Sequence, residues 1–434
     1  MKKIKKTILG LSPLMAVAPI SMAASCFNSK DKDNWDTKIT IVNNWINEGF
    51  EDTNLEKTFL DLLSKRFNDL KNNDPKLKDK PNVIFEIASK SEPSKIYQDL
   101  KSDKENVDLG LMNYSIFSED FIDGNVNENN LKLHLVSQAS TLKFKWQSLD
   151  SDFYENGLIT DKLRVAAENN NKVWFNDTNK EYPNWTDAYD EIPYFDGSKY
   201  KFFYETNKLT YVYHGAIMIS GTKAKRDEII KDWEDKNFKK FVSHGIAFKN
   251  ENSAGKYKYQ VALMARHFNK TISEINDYFR KNSNQIIKGK SIGKTLGKAA
   301  SGVVPHIGFA DEGDLNWTPK AWGETLYKPD GFDSNKPVND ATNDVVRVLT
   351  LTNPAAYDVV FGRPSLPKEQ VDLIKKALMS LTLEENTYGI YTGYNKFQDL
   401  TLDLFKKFIK LQIQAETTKS DLIKGSDIPI IKEN

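Results

Sequence analysis

The sequence predicts an α/β fold, and three observations carry that reading. Short β-branched runs, such as residues 39–42 and 107–111, alternate with segments whose apolar residues recur at helical spacing, an alternation that favours parallel sheets covered by helices. The clearest unit is the stretch 245–255 with the segment behind it. Residues 245–248 read as a short buried strand, and Tyr257, Val261, Met264 and Phe268 then fall on one helix face. Between them Asn252 or Ser253 is placed to cap the helix, and the small residues Ser253, Ala254 and Gly255 leave its first N–H groups uncovered. Such a helix start can seat a phosphate or carboxylate, with Lys256 adding a positive charge. An ordinary capped helix accounts for the same pattern.

At the N-terminus Lys2, Lys3, Lys5 and Lys6 precede an apolar, small-residue stretch over 7–25 that ends Ala23-Ala24-Ser25, just before Cys26, the one cysteine in 434 residues. This is the pattern of a secretory signal. A lone cysteine at its end resembles a bacterial lipobox, which makes Cys26 the lipidated first residue of the mature chain. The competing reading, a transmembrane anchor, is weakened by Pro13 and Pro19 and by a run that barely reaches spanning length. The mature protein is therefore expected at the cell membrane, lipid-anchored on the extracellular face, with 1–25 removed and 26–34 a polar tether. With no further cysteine, its stability must come from a packed core, for which some 400 residues suffice. Loss of the four leader lysines turns 61 basic residues against 60 acidic into 57 against 60, a balance that offers no nucleic-acid surface.

The body follows in order. Residues 39–42 form a first strand. Thr53 and Glu56 have capping-box spacing before a helical stripe of Leu55, Phe59, Leu62, Leu63, Phe67 and Leu70. A strand over 82–88, a short helix over 94–100 and a strand over 107–111 come next. Ligands in open α/β sheets lie beyond the carboxyl ends of strands, where Trp45, Asn113 and Tyr114 fall; each could equally be a packing residue. The stretch 141–208 reads as long loops with short helices. Residues 211–219 predict one strand and 227–241 one helix, followed by the unit around 245–268, a helix over 272–279 and a strand over 306–310 that opens onto Asp311 and Glu312. A strand over 345–350, a crossing loop over 352–357, a helix opened by Pro367, a Gly/Tyr-rich turn over 386–395 and a helix over 401–413 complete the chain.

Several motifs carry no chemistry. Gly289-Lys290-Ser291-Ile292-Gly293-Lys294-Thr295 has three residues between its glycines where a P-loop needs four. The histidines, among them His214 and His306, form no His-x-x-x-His pair for zinc. There is no Gly-x-Ser-x-Gly elbow, and the run Asp311, Glu312, Asp314 lacks the spacing of a calcium loop. No catalytic constellation is legible, and the chain is not expected to be an enzyme.

The order of elements is similar to the solute-binding proteins of ABC importers, in particular the phosphate/phosphonate group, whose phosphate turn stands where Asn252-Ser253-Ala254-Gly255-Lys256-Tyr257 stands here. A closer resemblance is to the mycoplasmal high-affinity transport lipoproteins, which bind thiamine pyrophosphate. It rests on Tyr213-His214-Gly215-Ala216-Ile217-Met218-Ile219, on Phe309-Ala310-Asp311-Glu312-Gly313, on Thr352-Asn353-Pro354-Ala355-Ala356-Tyr357-Asp358-Val359, and on Asn386-Thr387-Tyr388-Gly389 with Thr392-Gly393-Tyr394-Asn395. That family carries arginine where this chain has His214.

The resemblance implies a bilobal, class II periplasmic-binding-protein-like architecture, two mixed sheets flanked by helices with a ligand cleft between lobes. The first lobe is expected over 35–137 and 353–434, the second over 138–352 with the irregular insertion 141–208. The implied ligand is thiamine pyrophosphate or a related ester, its diphosphate at Ser253, Ala254, Gly255 and Lys256. The implied ring site draws on Trp45, Asn113, Tyr114, Tyr213, His214, Trp317, Asn353 and Tyr357, with Asp311 or Glu312 balancing the thiazolium or accepting from the aminopyrimidine. No cofactor is expected beyond this transported ligand, although a bound divalent ion would be compatible with it. The expected partners are an ABC permease and ATPase and, through Cys26, the membrane; nucleic acid is not one, and the chain is expected to be a monomer. Two alternatives stay open: a receptor for another phosphorylated or phosphonate metabolite, and a surface adhesin that has lost the small ligand.

Overall fold

The structure, a computed structural model, describes residues 35–90, 92–121, 126, 131–150, 152–178, 181, 203–300, 302–317 and 325–431. The secretory leader, Cys26 and the tether lie outside the described residues, as does most of 179–202 within the insertion expected to be irregular. Strands run in the order β1 (Lys38–Asn43), β2 (Ile84–Ser89), β3 (Leu109–Met112), β4 (His134–Phe144), β5 (Tyr204–Thr210), β6 (Val212–Tyr213), β7 (Gly215–Gly221), β8 (Ile246–Phe248), β9 (Ile286–Lys288), β10 (Ile307–Asp311), β11 (Val345–Leu351), β12 (Ala355–Ala356), β13 (Val359–Gly362) and β14 (Lys396–Gln398).

They build two mixed sheets. The larger has the order β14-β4-β13-β3-β1-β2, with β5 on the far end of β4; the smaller has the order β11-β7-β10-β8-β9. In the larger sheet β1 is parallel to β2 and β3, while β13 is antiparallel to β3 and β4. In the smaller sheet β8 is parallel to β9 and β10, and β7 is antiparallel to β10 and β11.

The side-chain period of two explains why both faces of each sheet are covered. Ile39 and Ile41 share a core with Phe59, Leu63 and Phe67 of the helix Asn54–Asn73 and with Ile374 and Leu378 of the helix Lys368–Ser380. Val42 belongs instead to a core with Phe405 and Phe408 of the C-terminal helix Leu402–Glu416. In the smaller sheet Ala216 and Met218 pack with Leu163, Ala166 and Ala167 of the helix Lys162–Thr178, while Ile217 and Ile219 pack with Ile229, Trp233, Val261 and Met264. Each fully buried Ile, Leu or Phe contributes about 1.5–3 kcal/mol on leaving water.

The chain passes between the sheets twice, and the two crossings are hydrogen-bonded to each other. Strands β6 and β12 pair antiparallel, Ala355 opposite Tyr213 and Ala356 opposite Val212. The Tyr357 N–H donates to Tyr211 O at 2.7 Å, and the Thr352 N–H to Gly215 O at 2.9 Å. Glu312, just past β10, fixes the junction. Its Oε1 accepts from the His214 N–H at 2.9 Å and from Gln147 Nε2 at 2.7 Å, and its Oε2 from Trp146 Nε1 at 2.9 Å. Its own N–H donates to His214 O and its carbonyl accepts from Asn170 Nδ2.

Several sequence expectations change. The single strand expected over 211–219 is broken at His214, because that N–H is spent on Glu312 and not on a sheet partner. The helix expected over 227–241 is two, Lys223–Glu234 and Phe238–Ser243, parted by Lys236 in the left-handed region at φ 54°. The stretch expected to be irregular contains the end of β4, the helix Lys162–Thr178 and β5. The turn expected over 386–395 is a helix, Thr387–Thr392, closed by Gly393 at φ 84°. The capping box at Thr53 is shifted: Thr53 accepts from the Leu55 N–H, and Glu56 accepts from the Asp52 N–H.

Glu312→Gln keeps the shape but turns an amide NH2 towards at least one of the three donors. We expect a loss of about 1–3 kcal/mol of folding stability, read as a lower urea midpoint at unchanged m value. An unchanged midpoint would mean that the junction does not depend on this acceptor.

Candidate ligand-binding site

A cleft of about 370 Å³ opens where β1, β3 and β10 end, within the size range of small-molecule sites. Asn44 and Trp45 line it from beyond β1, Asn113 and Ser115 from beyond β3, and Asp311, Glu312, Gly313 and Asp314 from the end of β10. The turn Asn252, Ser253, Ala254 and Gly255 contributes another wall, and Tyr213, His214, Tyr357 and Asp358 come from the crossings. Thr141, Phe144, Trp317, Thr392 and Tyr394 complete it together with Pro93 and Ile116.

Of the residues expected to hold a ligand, the structure brings Trp45, Asn113, Tyr213, His214, Ser253, Ala254, Gly255, Asp311, Glu312, Trp317 and Tyr357 to this cleft. Tyr114 is not there. It is fully buried in the core beneath the C-terminal helix, its hydroxyl donating to Gln138 Oε1 at 2.7 Å. Asn353 also lies apart, with its Oδ1 taken by the Tyr154 N–H at 2.8 Å. Lys256 does not line the cleft: its ammonium lies 2.7 and 2.9 Å from the two oxygens of Asp314 and 3.2 Å from Asp311. Burial alone would lower the Lys256 pKa, but the two carboxylates outweigh it and hold the charge in place.

The turn itself differs from a simple capped helix. Ser253 occupies the N-cap without a side-chain bond, and Ala254–Lys258 is a π-helical turn leading into the helix Tyr259–His267. Gln260 is buried in that helix and donates to Gly255 O, Ala216 O and Ala310 O, tying the turn to β7 and β10. A Cβ at 255 would lie 2.0 Å from Asp311 Oδ1, so any larger residue there would force the Asp311 side chain to move.

The electrostatics are acidic. Asp311, Glu312, Asp314 and Asp358 line the cleft, and no lysine or arginine does among the described residues. The Asp358 side chain accepts from Tyr394 Oη at 2.7 Å and lies 3.4 Å from Asn113 Nδ2, neutral partners both, and makes no ion pair among the described residues. Burial pushes its carboxyl up to about 6, against the pull of those two hydrogen bonds. Asp311 is also pushed up to about 6, by burial and by Asp314, with Lys256 opposing. Burial raises Glu312 above the usual carboxylate range despite its donors.

Aromatic rings face these carboxylates. Tyr357 meets Tyr213 edge-on at 5.6 Å and Tyr394 at 5.7 Å, while Trp45 is 44% exposed. Asn113 donates to Tyr213 Oη at 2.7 Å, and Tyr213 bonds onward to Tyr259 Oη at 2.8 Å. Sequence reasoning missed Asp358, Tyr394, Thr141 and Phe144. Asp358 directly follows the crossing loop, so its position was available as a signal. Thr141 and Phe144 lie on a strand that the apolar pattern did not reveal.

Comparison with known proteins gives this geometry a family. The chain is 29% identical to the high affinity transport system protein p37 of Mesomycoplasma hyorhinis over 432 residues, covering 94% of this chain and all of that protein. It is 27% identical to the protein of the same description from Mycoplasma pneumoniae, over 64% of this chain and 70% of that one. The solved structure of Mycoplasma hyorhinis Mh-p37, reported as a candidate thiamine pyrophosphate transporter, aligns with a TM-score of 0.72 at 25% identity. That alignment covers 88% of this chain and 99% of Mh-p37, and the α/β architecture with two mixed sheets is accordingly that of a solute-binding protein. The family model CypI, extracytoplasmic thiamine-binding lipoprotein, matches residues 57–415, and the chain belongs to that family.

Proposed function

We propose that this chain is the solute-binding component of an ABC importer and takes a thiamine-type ligand, thiamine or one of its phosphate esters, in the cleft. The observation that carries the reading is Asp358: a buried carboxylate with only neutral hydrogen-bond partners, set among Tyr357, Tyr394 and Tyr213. A buried charge without a counter-ion is costly, and a thiazolium ring supplies both the missing cation and a flat face for the aromatic rings. Stacking of that cation on Trp45 or Tyr357 adds about 0.5–2 kcal/mol. Ser253, Ala254 and Gly255 are the chain's candidates for the phosphate end of an ester.

The paired crossings β6 and β12 are the natural hinge. A ligand held from both sides favours a closed state, which the permease and ATPase would read. Cys26 would anchor the protein to the outer face of the membrane, and no chemistry on the ligand is required. An adhesin that had lost its ligand would be expected to fill the cleft with its own side chains; the cavity of about 370 Å³ speaks for the receptor.

Isothermal titration with thiamine at pH 7.5 tests this reading. Trp45→Ala and Asp358→Asn are each expected to weaken binding by about tenfold or more, with the fold retained. Absence of heat and of thermal shift with thiamine and all its esters would sink the proposal.

Binding should also depend on pH. Above about 6 Asp358 and Asp311 are ionised and attract the cation; below it protons compete. Affinity for thiamine therefore falls as the pH is lowered from 7.5 to 5, approaching about tenfold per unit for each proton displaced. Titrations in buffers of different ionisation enthalpy should show proton release on binding near pH 6, and a flat pH profile would remove the carboxylates from the account.

A further inference from the structure

The turn that opens the helix Tyr259–His267 carries Lys256 and Lys258, and residues two apart on a helix do not face the same way. Lys256 stays with its own sheet, at Asp314 and Asp311 beside the end of β10. Lys258 leaves it. Its Nζ donates to Ser115 Oγ at 2.9 Å, just beyond β3 of the larger sheet, and lies 3.8 Å from Glu416 at the end of the C-terminal helix. Ser115 lines the ligand cleft, whereas Lys258 and Glu416 line a second cavity of about 460 Å³, so this bond links the walls of two cavities.

Resting on the thiamine-type reading, we propose that Lys258 is a positioning residue for the ligand: by tying Ser115 to the helix on the smaller sheet, it holds the cleft closed and slows the ligand's escape.

The tie reaches the cleft through one short turn. The Ser115 N–H donates to Asn113 Oδ1 at 2.9 Å, and Asn113 Nδ2 donates to Tyr213 Oη at 2.7 Å and lies 3.4 Å from Asp358 Oδ1. Lys258 therefore fixes, from the other sheet, the turn that presents Asn113 to Tyr213 and Asp358. Glu416 keeps that lysine in place. Burial raises its carboxyl above the usual range, while Lys258 and hydrogen bonds from Ser115 and Gln412 pull it down.

The tie is also built to open. The Lys258 side chain is 34% exposed, and in the cavity beside it Glu119, Asn276 and Thr417 stand next to Val261 and Ile413. Parting the walls there exposes polar groups that water can serve, so the link adds little to the stability of the fold. A contact that must break before the ligand leaves acts instead on the dissociation rate, where most affinity differences between variants of one site arise.

Stopped-flow fluorescence on the full-length chain in detergent tests this, with thiamine and thiamine pyrophosphate as probes and Trp45 and Trp317 of the cleft as reporters. Lys258→Met keeps an apolar stem and removes the charge; Lys258→Gln serves if it does not fold. For whichever probe binds, we expect koff to rise about fivefold or more, with kon within about twofold of wild type. The ligand-free melting temperature should stay within about 2 °C. Ser115→Ala should raise koff similarly, and the double variant should dissociate no faster than Lys258→Met alone.

An unchanged koff in Lys258→Met would overturn the inference and leave the thiamine-type reading standing. So would a fall in ligand-free melting temperature that accounts for the whole loss, or koff factors of the two substitutions that multiply. Failure of the wild-type chain to bind either probe would overturn the thiamine-type reading itself, and this inference with it.

Discussion

Glu312 is the constraint on which the rest of the molecule depends. Its backbone N–H donates to His214 O at the break, and its side chain accepts from the His214 N–H, Gln147 and Trp146. Those donors come from just past β4 and from the break between β6 and β7, so one buried carboxylate at the end of β10 ties the larger sheet's β4 to the smaller sheet. Its three donors also explain why a residue that lines the cleft is poorly placed to serve a ligand. A buried carboxylate is tolerable when its lone pairs are filled, and here the filling is done by the scaffold.

Asp358 stands at the opposite limit, with two neutral partners and no ion pair among the described residues. The contrast divides the cleft's acidity into two kinds. Glu312 is satisfied by donors of the scaffold and Asp311 and Asp314 share Lys256, whereas Asp358 has only neutral partners among the described residues and is the carboxylate that a bound cation would compensate most. Groups whose ionisation is left to be settled by a ligand mark functional sites more often than structural ones, and Asp358 lines a cleft to which five tyrosines and tryptophans, Trp45, Tyr213, Trp317, Tyr357 and Tyr394, also contribute.

Much of this was legible in the sequence, and the exceptions have physical causes. The face Tyr257, Val261, Met264 and Phe268 packs as one stripe, as its spacing requires. The strands near residues 39–42, 306–310 and 345–350 form because their apolar runs are long enough to cross a buried sheet. Strand β13 is four residues long and wholly buried, so it offers no alternation to read. The helix Lys162–Thr178 escaped because its inner face uses Ala166, Ala167 and Asn170, small or polar groups that suit a tight interface but not a hydrophobic stripe. The role of Lys256 was misjudged for another reason: a lysine beside a helix start is a free cation in sequence, and only the fold shows Asp311 and Asp314 closing on it.

The same logic explains how a ligand in the cleft can act at a distance. Asn113, at the rim, donates to Tyr213, Tyr213 bonds to Tyr259, and Tyr259 accepts from Gln412 of the C-terminal helix at 2.9 Å. Tyr259 and Gln412 are fully buried, so neither can exchange its partner for water without cost. Arg266, one turn or two further along the helix that carries Tyr259, caps the carbonyls of Gln414, Thr417 and Lys419 at the end of that same C-terminal helix. The helix on the smaller sheet and the helix on the larger one are thus joined by a chain of hydrogen bonds that begins at Asn113 in the wall of the cleft. Any movement of Asn113 or Tyr213 on binding must either break this chain or carry the two helices with it, and the burial of its members makes the second course the cheaper one.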